Sequence, residues 1–303
     1  VTLEGGGQTD LTFEFQIDQW STQAPNMMWL RIYNPSLATA KKLAAPEFTK
    51  VQFYAGYDDN CGLVYSGEIK QAILNHDTAV NSCVDLYCAD GESGYNRARL
   101  GTALPAGYTP QDKLNAALKT MQPFGVTLGT VNVDLSKPSY PRGLPLIGMA
   151  REAIREVALN AGALWSIQNG QLHMIDFKKP VPGSAIPLNA ATGLVGWPRQ
   201  TADGIMTVSL INPRLQPHVN IQLDPSSIQL AQRNINDRDP SSPYVNSNLD
   251  QQGVGAGTYN IFKMARTGNT RGEEWYDTAW SIGTTSSAVS KSNTEQGYYV
   301  GTD

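Results

Sequence analysis

Charge is scarce in this chain of 303 residues: Asp, Glu, Lys and Arg make up 17%, against roughly a quarter in ordinary soluble domains. The 23 basic and 27 acidic residues leave a formal charge of -4, so no basic footprint is present to grip a phosphate backbone. Specific nucleic-acid binding is disfavoured. Asn, Gln, Ser, Thr and Gly stand where charge is missing, a surface suited to a protein that works inside an assembly. Cysteine is scarce too. Cys61, Cys83 and Cys88 are odd in number, so at least one has no partner within the chain. Cys83 and Cys88 have opposite parity in a run that reads as a strand and should point to opposite faces, which argues against a disulfide between them. All three are expected to be small buried thiols of a reducing compartment. No apolar run approaches the ~20 residues that span a bilayer. The chain opens on Val1 without a basic-then-apolar leader, so neither membrane insertion nor a secretion signal is expected.

The residue patterns of common catalytic sites are missing as well. His76, His173 and His218 lie far apart in three different segments, and none has the His-Glu-x-x-His spacing of zinc hydrolases. Glu152 and Glu156 lie one helical turn apart, but Arg151 and Arg155 beside them make a solvated, ion-paired face rather than a carboxylate dyad. Asp58, Asp59 and Asn60 resemble a fragment of a calcium loop without its downstream Gly and Glu. Gly5-Gly6-Gly7 and Gly253 to Gly257 do not sit between a strand and a helix, so no phosphate cradle follows. No Gly-x-Ser-x-Gly occurs. The chain reads as non-enzymatic, with no catalytic residue, no cofactor and no metal.

What is present is strand pattern. Leu11, Phe13, Phe15 and Ile17 alternate with Thr12, Glu14, Gln16 and Asp18, a half-buried strand. Met28, Leu30 and Ile32 make the next. A short helix is expected over Ala38 to Ala45, then strands over Val51 to Tyr57, Leu63 to Glu68 and Ser82 to Cys88. Their close spacing suits a barrel or a sandwich. From Asp90-Gly91 the period changes. Thr109-Pro110-Gln111-Asp112 marks a helix start, with a cap residue, Pro at the first position and an acid at the third. A second helix is predicted over Leu146 to Asn160, with Ile147, Ala150, Ile154, Val157 and Ala158 inward and Gly162 at its stop. Asn169-Gly170, between Leu164 to Ile167 and Leu172 to Phe177, is a two-residue hairpin turn. After Pro180-Val181-Pro182-Gly183 the pattern is β again, through Ile205 to Ile211, Val219 to Leu223, Tyr259 to Ala265 and Glu274 to Ile282. Asn234 to Gln252 reads as a long mobile loop and Thr284 to Asp303 as a polar arm.

One motif occurs in both β parts. Ile32-Tyr33-Asn34-Pro35-Ser36-Leu37 returns as Leu210-Ile211-Asn212-Pro213-Arg214-Leu215. In each, an apolar strand stops at Asn-Pro, because Asn tolerates turn geometry and Pro removes a backbone donor, and a Leu then turns the chain back. A β-rich run follows each copy, 14 positions after Leu37 and 4 after Leu215, so the repeat is imperfect.

Leu11 to Ile17, then Trp29 to Leu37, Val51 to Tyr57 and Gly62 to Ile69 resemble the N-terminal domain of baseplate hub proteins of contractile-tailed phages, in particular the Mu-like and late-control hubs. Cys88-Ala89-Asp90-Gly91 matches the hand-over from that domain. Thr192 to Pro198, Asp203-Gly204-Ile205, Leu210 to Leu215, Tyr259 to Ala265 and Trp275-Tyr276 resemble the family's second barrel. The resemblance covers about residues 1 to 282, while the loop 234–252 and the tail after Thr284 have no counterpart in it. It implies a mainly β chain in which two tail-tube-like β-barrel domains, 1–89 and 183–283, flank a small α+β domain, 90–182, with 284–303 as a C-terminal arm. It implies a homotrimer whose six barrels ring a channel, mating the six-fold tail tube to the three-fold spike beside the baseplate wedge proteins, and passing DNA without reading its sequence. Such a protein belongs to the virion tail baseplate and assembles in the host cytoplasm. Asn34, Pro35, Leu37, Asn212, Pro213 and Leu215 would then shape the barrel ends, with Trp197 and Trp275 as packing anchors. The alternatives are the hub of a related contractile injection or secretion machine, a hub whose middle domain is a cell-wall hydrolase, and a carbohydrate-binding β-module.

Overall fold

The computed structural model describes residues 2–6, 10–44, 49–57, 60–76, 78, 81–176, 181, 183–201, 204–228 and 257–283. The loop 234–252 and the arm 284–303 lie outside the described residues, as do Asp58 and Asp59.

Alternation builds the first five strands. Phe13, Phe15 and Ile17 of β1 (Thr12–Trp20) point inward, as do Met28, Leu30 and Ile32 of β2 (Met27–Tyr33). The helix α1 (Leu37–Ala44) lays Ala40 and Leu43 on the same core. Then come β3 (Lys50–Ala55), β4 (Gly62–His76) and β5 (Ser82–Ala89). Strand β4 runs well past the expected Glu68, because its first half pairs with β3 and its second half with β5. Phe15 meets Phe53 edge-on at 4.7 Å and Trp275 at 5.4 Å, so Trp275 serves as the expected anchor across two parts of the chain. Trp197 does not: it is 62% exposed.

The middle part carries its own core, with Leu114, Met121, Ile154, Trp165 and Leu172 among its buried residues. Its elements are α2 (Glu92–Arg97), β6 (Arg99–Leu104), α3 (Pro110–Met121), β7 (Thr127–Val131), β8 (Leu144–Met149), α4 (Ala150–Ala161), β9 (Leu164–Gln168) and β10 (Gln171–Ile175). Thr109 and Asp112 form a complete capping box at the start of α3. The second helix begins four residues later than Leu146. Residues 144–149 instead pair with β6, Gly148 takes φ 133, and Ile147 is 86% exposed rather than inward. Pro145 and Gly148 both oppose a helix there, and the unpaired backbone of β6 supplies the alternative. Strands β6 and β7 left no clear alternation in the sequence. Asn169 at φ 53 and Gly170 at φ 78 make the two-residue turn joining β9 and β10.

The last part holds β11 (Ile186–Pro187), β12 (Leu194–Thr201), β13 (Gly204–Leu210), β14 (Asn220–Gln222), β15 (Thr258–Asn269) and β16 (Trp275–Gly283), around Leu215, Ile221, Tyr259, Ile261 and Met264. Strands of the first and last parts join one mixed sheet in the order β12-β13-β16-β15-β1-β2-β5-β4-β3, with β14 and β11 branching from β15. The fold is mainly β with a smaller α+β part. Cys83 and Cys88 are buried free thiols, but Cys61 is exposed, contrary to expectation, because it stands at the hairpin before β4.

Candidate assembly site

The two outer parts share a strand order. The first runs β1-β2-β5-β4-β3, and the second runs β12-β13-β16-β15-β14. Numbered within each part, with the two-residue β11 beside β14 left out, both are 1-2-5-4-3. The registers agree as well: Arg31, three before Asn34, faces Asp85, and Ser209, three before Asn212, faces Asp277. The two Asn-Pro corners therefore stand at corresponding places, each just after the second strand of its part.

Their surroundings differ. Asn34 is exposed at φ 48, its backbone N–H donates to the Ser82 carbonyl at 2.7 Å, and its Oδ1 accepts from the Ser82 N–H at 3.0 Å. Pro35 is buried, while Leu37 is exposed and opens α1. Asn212 is half-buried and lies against the hairpin before β4. Its Oδ1 accepts from Asn60 Nδ2 at 3.2 Å, and Pro213 packs so close to Gly62 that a Cβ there would lie 2.9 Å away. Leu215 is buried in the second core. The two corners are not brought together: Ser82 pairs with His76 at one end of β4, and Gly62 is the other end.

Each corner has a buried carboxylate behind it. Asp85 takes a bidentate contact from Arg31, Nε to Oδ1 at 2.7 Å and Nη2 to Oδ2 at 3.1 Å. Asp277 pairs with Arg266 Nη1 at 3.3 Å, both side chains fully buried, and accepts from the Asn212 N–H at 3.0 Å. Arg266 also donates to the carbonyls of Asn212 and Leu215. Burial pushes the Asp277 carboxyl up to about 6 against the opposing pull of Arg266 and the Asn212 N–H, and burial lowers Arg266.

The outer parts are sewn together by β1 on β15. Glu14 faces Asn269 and Trp20 faces Lys263, with Ile17 opposite Arg266. One edge of β15 is thus divided, residues 258–260 to β14 and 263–269 to β1.

A polar joint ties the middle part to this seam. Asn26 Nδ2 donates to the Ile167 carbonyl at 2.9 Å and to Gln168 Oε1 at 2.6 Å, while Gln168 Nε2 donates to the Trp20 carbonyl at 2.7 Å. His218, at φ 74, touches Ser166 Oγ through Nε2 at 3.0 Å and Ser21 Oγ through Nδ1 at 3.4 Å. His173 accepts from the Thr130 N–H, and its ring lies 5.3 Å from that of His218. Histidines 45 positions apart in sequence thus meet in space. Burial lowers His173 to about 4, and burial together with His173 lowers His218 to about 3, so both are neutral donors and acceptors of a packed joint. Beside it, Asp90 accepts from the N–H groups of Asn169 and Gly170, and the Ser66 N–H donates to Asn169 Oδ1 at 2.9 Å. Burial raises Asp90 to about 7 against those donors.

Ser166 and His218 are buried, and Glu152 and Glu156 are exposed, paired with Arg151, Arg155 and Lys113. No group of metal-ligating side chains occurs among the described residues, and no helix among them is long and apolar enough to cross a membrane. Asn26, Gln168, Asp90, Arg266 and Asp277 escaped the sequence reading. The one signal was parity: Arg266 sits in step with Met264 on the inward face of β15.

No protein-family model matches the chain, and no curated protein matches it in sequence. Among solved structures it is similar to the tail protein from Neisseria meningitidis, with a TM-score of 0.52 at 11% identity over 89% of this chain and 91% of that one. It is similar to the 43 kDa tail protein of prophage MuSo2 from Shewanella oneidensis, with a TM-score of 0.52 at 9% identity over 92% and 95%. An E. coli component of the type VI secretion system, described as similar to the bacteriophage T4 tail proteins gp27 and gp5, gives 0.53 at 12% identity over 93% and 76%. The chain has the β-rich fold of these tail proteins.

Proposed function

We propose that the chain is a non-enzymatic structural hub of a contractile tail baseplate. The observation that carries this reading is the 1-2-5-4-3 strand order found twice in one chain and joined through β1 and β15. A protein with two similar β units per copy can present six in a ring of three copies, and so can mate a six-fold tube on one side and a three-fold spike on the other. The units are taken as tube-like barrels over 1–89 and 183–283, with 90–182 as an α+β domain and 284–303 as an arm. The Asn34-Pro35 and Asn212-Pro213 corners, with Leu37 and Leu215, shape the barrel ends. Partners are the tail tube protein, the spike and the wedge proteins. Low charge suits large subunit interfaces, whose cores are depleted in charged residues. It also suits a lumen that DNA crosses without being held. The protein would belong to the virion tail, assembled in the host cytoplasm.

The test is mass in solution, by light scattering on a sizing column, of the chain alone and with the spike. A trimer in either sample is the expected result; a monomer in both, with no complex, would overturn the hub reading. The similarity to the E. coli secretion component favours one second reading, the hub of a contractile injection machine. Co-purification with a sheath-and-tube apparatus from cells that release no phage would select it.

A further inference from the structure

The shared strand order exposes one difference between the two units. In the second unit, the β15 edge beyond β14 is filled by β1. The registers carry that edge onto the first unit: Asp277 faces Arg266 in β15 as Asp85 faces Ile73 in β4. Lys70–His76 of β4 therefore correspond to Lys263–Asn269 of β15. The β3 ladder ends at Glu68, and beyond it this edge of β4 has no strand partner among the described residues.

The counterpart of β1 is β12, at the other end of the same sheet. Glu14 faces Arg31 as Leu194 faces Ser209, and Ile17 faces Met28 as Arg199 faces Met206. The outer edge of β12 is also without a strand partner among the described residues. Among the described residues both edges are open, and they carry large apolar side chains, Ile73 and Leu74 on one, Val195 and Trp197 on the other, all at least 36% exposed. In the internal seam the corresponding Ile17 and Arg266 are fully buried. Unprotected backbone beside exposed apolar side chains is a template for strand addition.

We propose that Leu194–Thr201 of one copy pairs antiparallel with Gln71–His76 of the next, in the register that β1 uses on β15. Leu194 then lies opposite His76, Val195 opposite Asn75, Arg199 opposite Ile73 and Thr201 opposite Gln71. The internal pair Ile17 and Arg266 reappears between copies as Arg199 and Ile73, with the sides exchanged. The bulge between Val195 and Arg199 stands at the level of Leu74 and carries Trp197 toward it. The contact joins two different surfaces, head to tail, so it makes a ring where the rotation per copy closes. Internal and external seams alternate around it, and every copy adds two units. This rests on the ring reading above and names the strands that would make its interface.

The test places cysteines in a Cys61→Ser background. Ile73→Cys with Arg199→Cys sets two thiols opposite each other across the proposed seam; Ile73→Cys with Leu194→Cys sets them out of register. Light scattering gives the mass of each before mild oxidation, and a non-reducing gel shows linked copies afterwards. The expected result is an oligomer that links through Ile73/Arg199 and not through Ile73/Leu194. An oligomer that does not link at Ile73/Arg199, or links equally at both pairs, would overturn the seam and leave the ring reading standing. A monomer throughout, with the spike as well as alone and in the unsubstituted chain too, would sink both. Trp197→Lys, whose side chain is outside the packed core, gives a second readout: unchanged circular dichroism with at least a twofold loss of oligomer mass is expected, and full retention of mass counts against the seam.

Discussion

Asp85 and Asp277 hold the same register position on the closing strand of the two units, and each binds an arginine, yet the arginines come from opposite neighbours. Arg31 reaches Asp85 from β2, whereas Arg266 reaches Asp277 from β15. The first pair sits at an accessible face, with Arg31 about a fifth exposed. The second lies under the β1 seam. One register position thus serves two environments.

Removing one member of each pair should separate them. Asp277→Asn leaves Arg266 buried without its counter-charge and is expected to cost about 3–5 kcal/mol. Asp85→Asn leaves Arg31 able to reach water and is expected to cost about 1–2 kcal/mol. Urea unfolding midpoints check this, and equal losses would contradict it. Arg266→Met with Asp277→Leu should recover most of the larger loss.

The buried titrating groups oppose one another. His173 and His218, at about 4 and 3, lie below the ~6.5 of a free imidazole, so the unfolded chain binds their protons first. Their contribution is complete above about pH 7 and is lost as the pH falls from there toward 4. Asp90 and Asp277, raised to about 7 and 6, contribute fully below about pH 4 and lose that contribution as the pH rises toward 7. The wild-type midpoint should therefore change little between about pH 4 and 7. Asp90→Asn removes one falling limb and should make the midpoint climb with pH across this window; a profile parallel to wild type would refute the raised Asp90.

Asn169 does two jobs, taking positive φ in the turn and accepting from the Ser66 N–H. Asn169→Ala should cost about 2 kcal/mol, the αL penalty plus a lost hydrogen bond. Asn169→Gly should cost less, because glycine takes that φ freely. Thermal unfolding of the two variants, compared by Tm, checks the order.

Gly62 is where the second Asn-Pro corner rests on the first unit. A Cβ there would lie 2.9 Å from Pro213 Cβ, so Gly62→Ala must push the corner away, at about 1–3 kcal/mol. Pro213→Ala in the same chain should not relieve it, since alanine keeps the clashing Cβ. Pro213→Gly should. Denaturant midpoints of the two double variants distinguish them.

Local signals were readable in the sequence. The alternation of Phe13, Phe15 and Ile17, the Thr109 capping box and the Asn169-Gly170 turn each depend on neighbours a few positions away, and each has its expected form. The Leu146 to Met149 stretch misled because its apolar spacing suits a helix, while the deciding partner, β6, lies some 45 positions earlier. The candidate assembly site was least legible. The strand expected over Tyr259 to Ala265 stops one residue short of Arg266, since an arginine looks like an exit from a core. It becomes an inward residue only once Asp277 and the β1 seam are known. Nothing local in Ile17 or His218 names its distant partner.

The seam between β1 and β15 also orders events in time. Phe13 bonds to Thr270, 257 positions away, so a ribosome adding roughly 5–20 residues per second exposes the bare edge of β1 for ten seconds or more before its partner emerges. Contacts of such sequence separation are slow to form. A half-made chain is thus an open strand, able to pair with the same edge of another copy until its own β15 emerges.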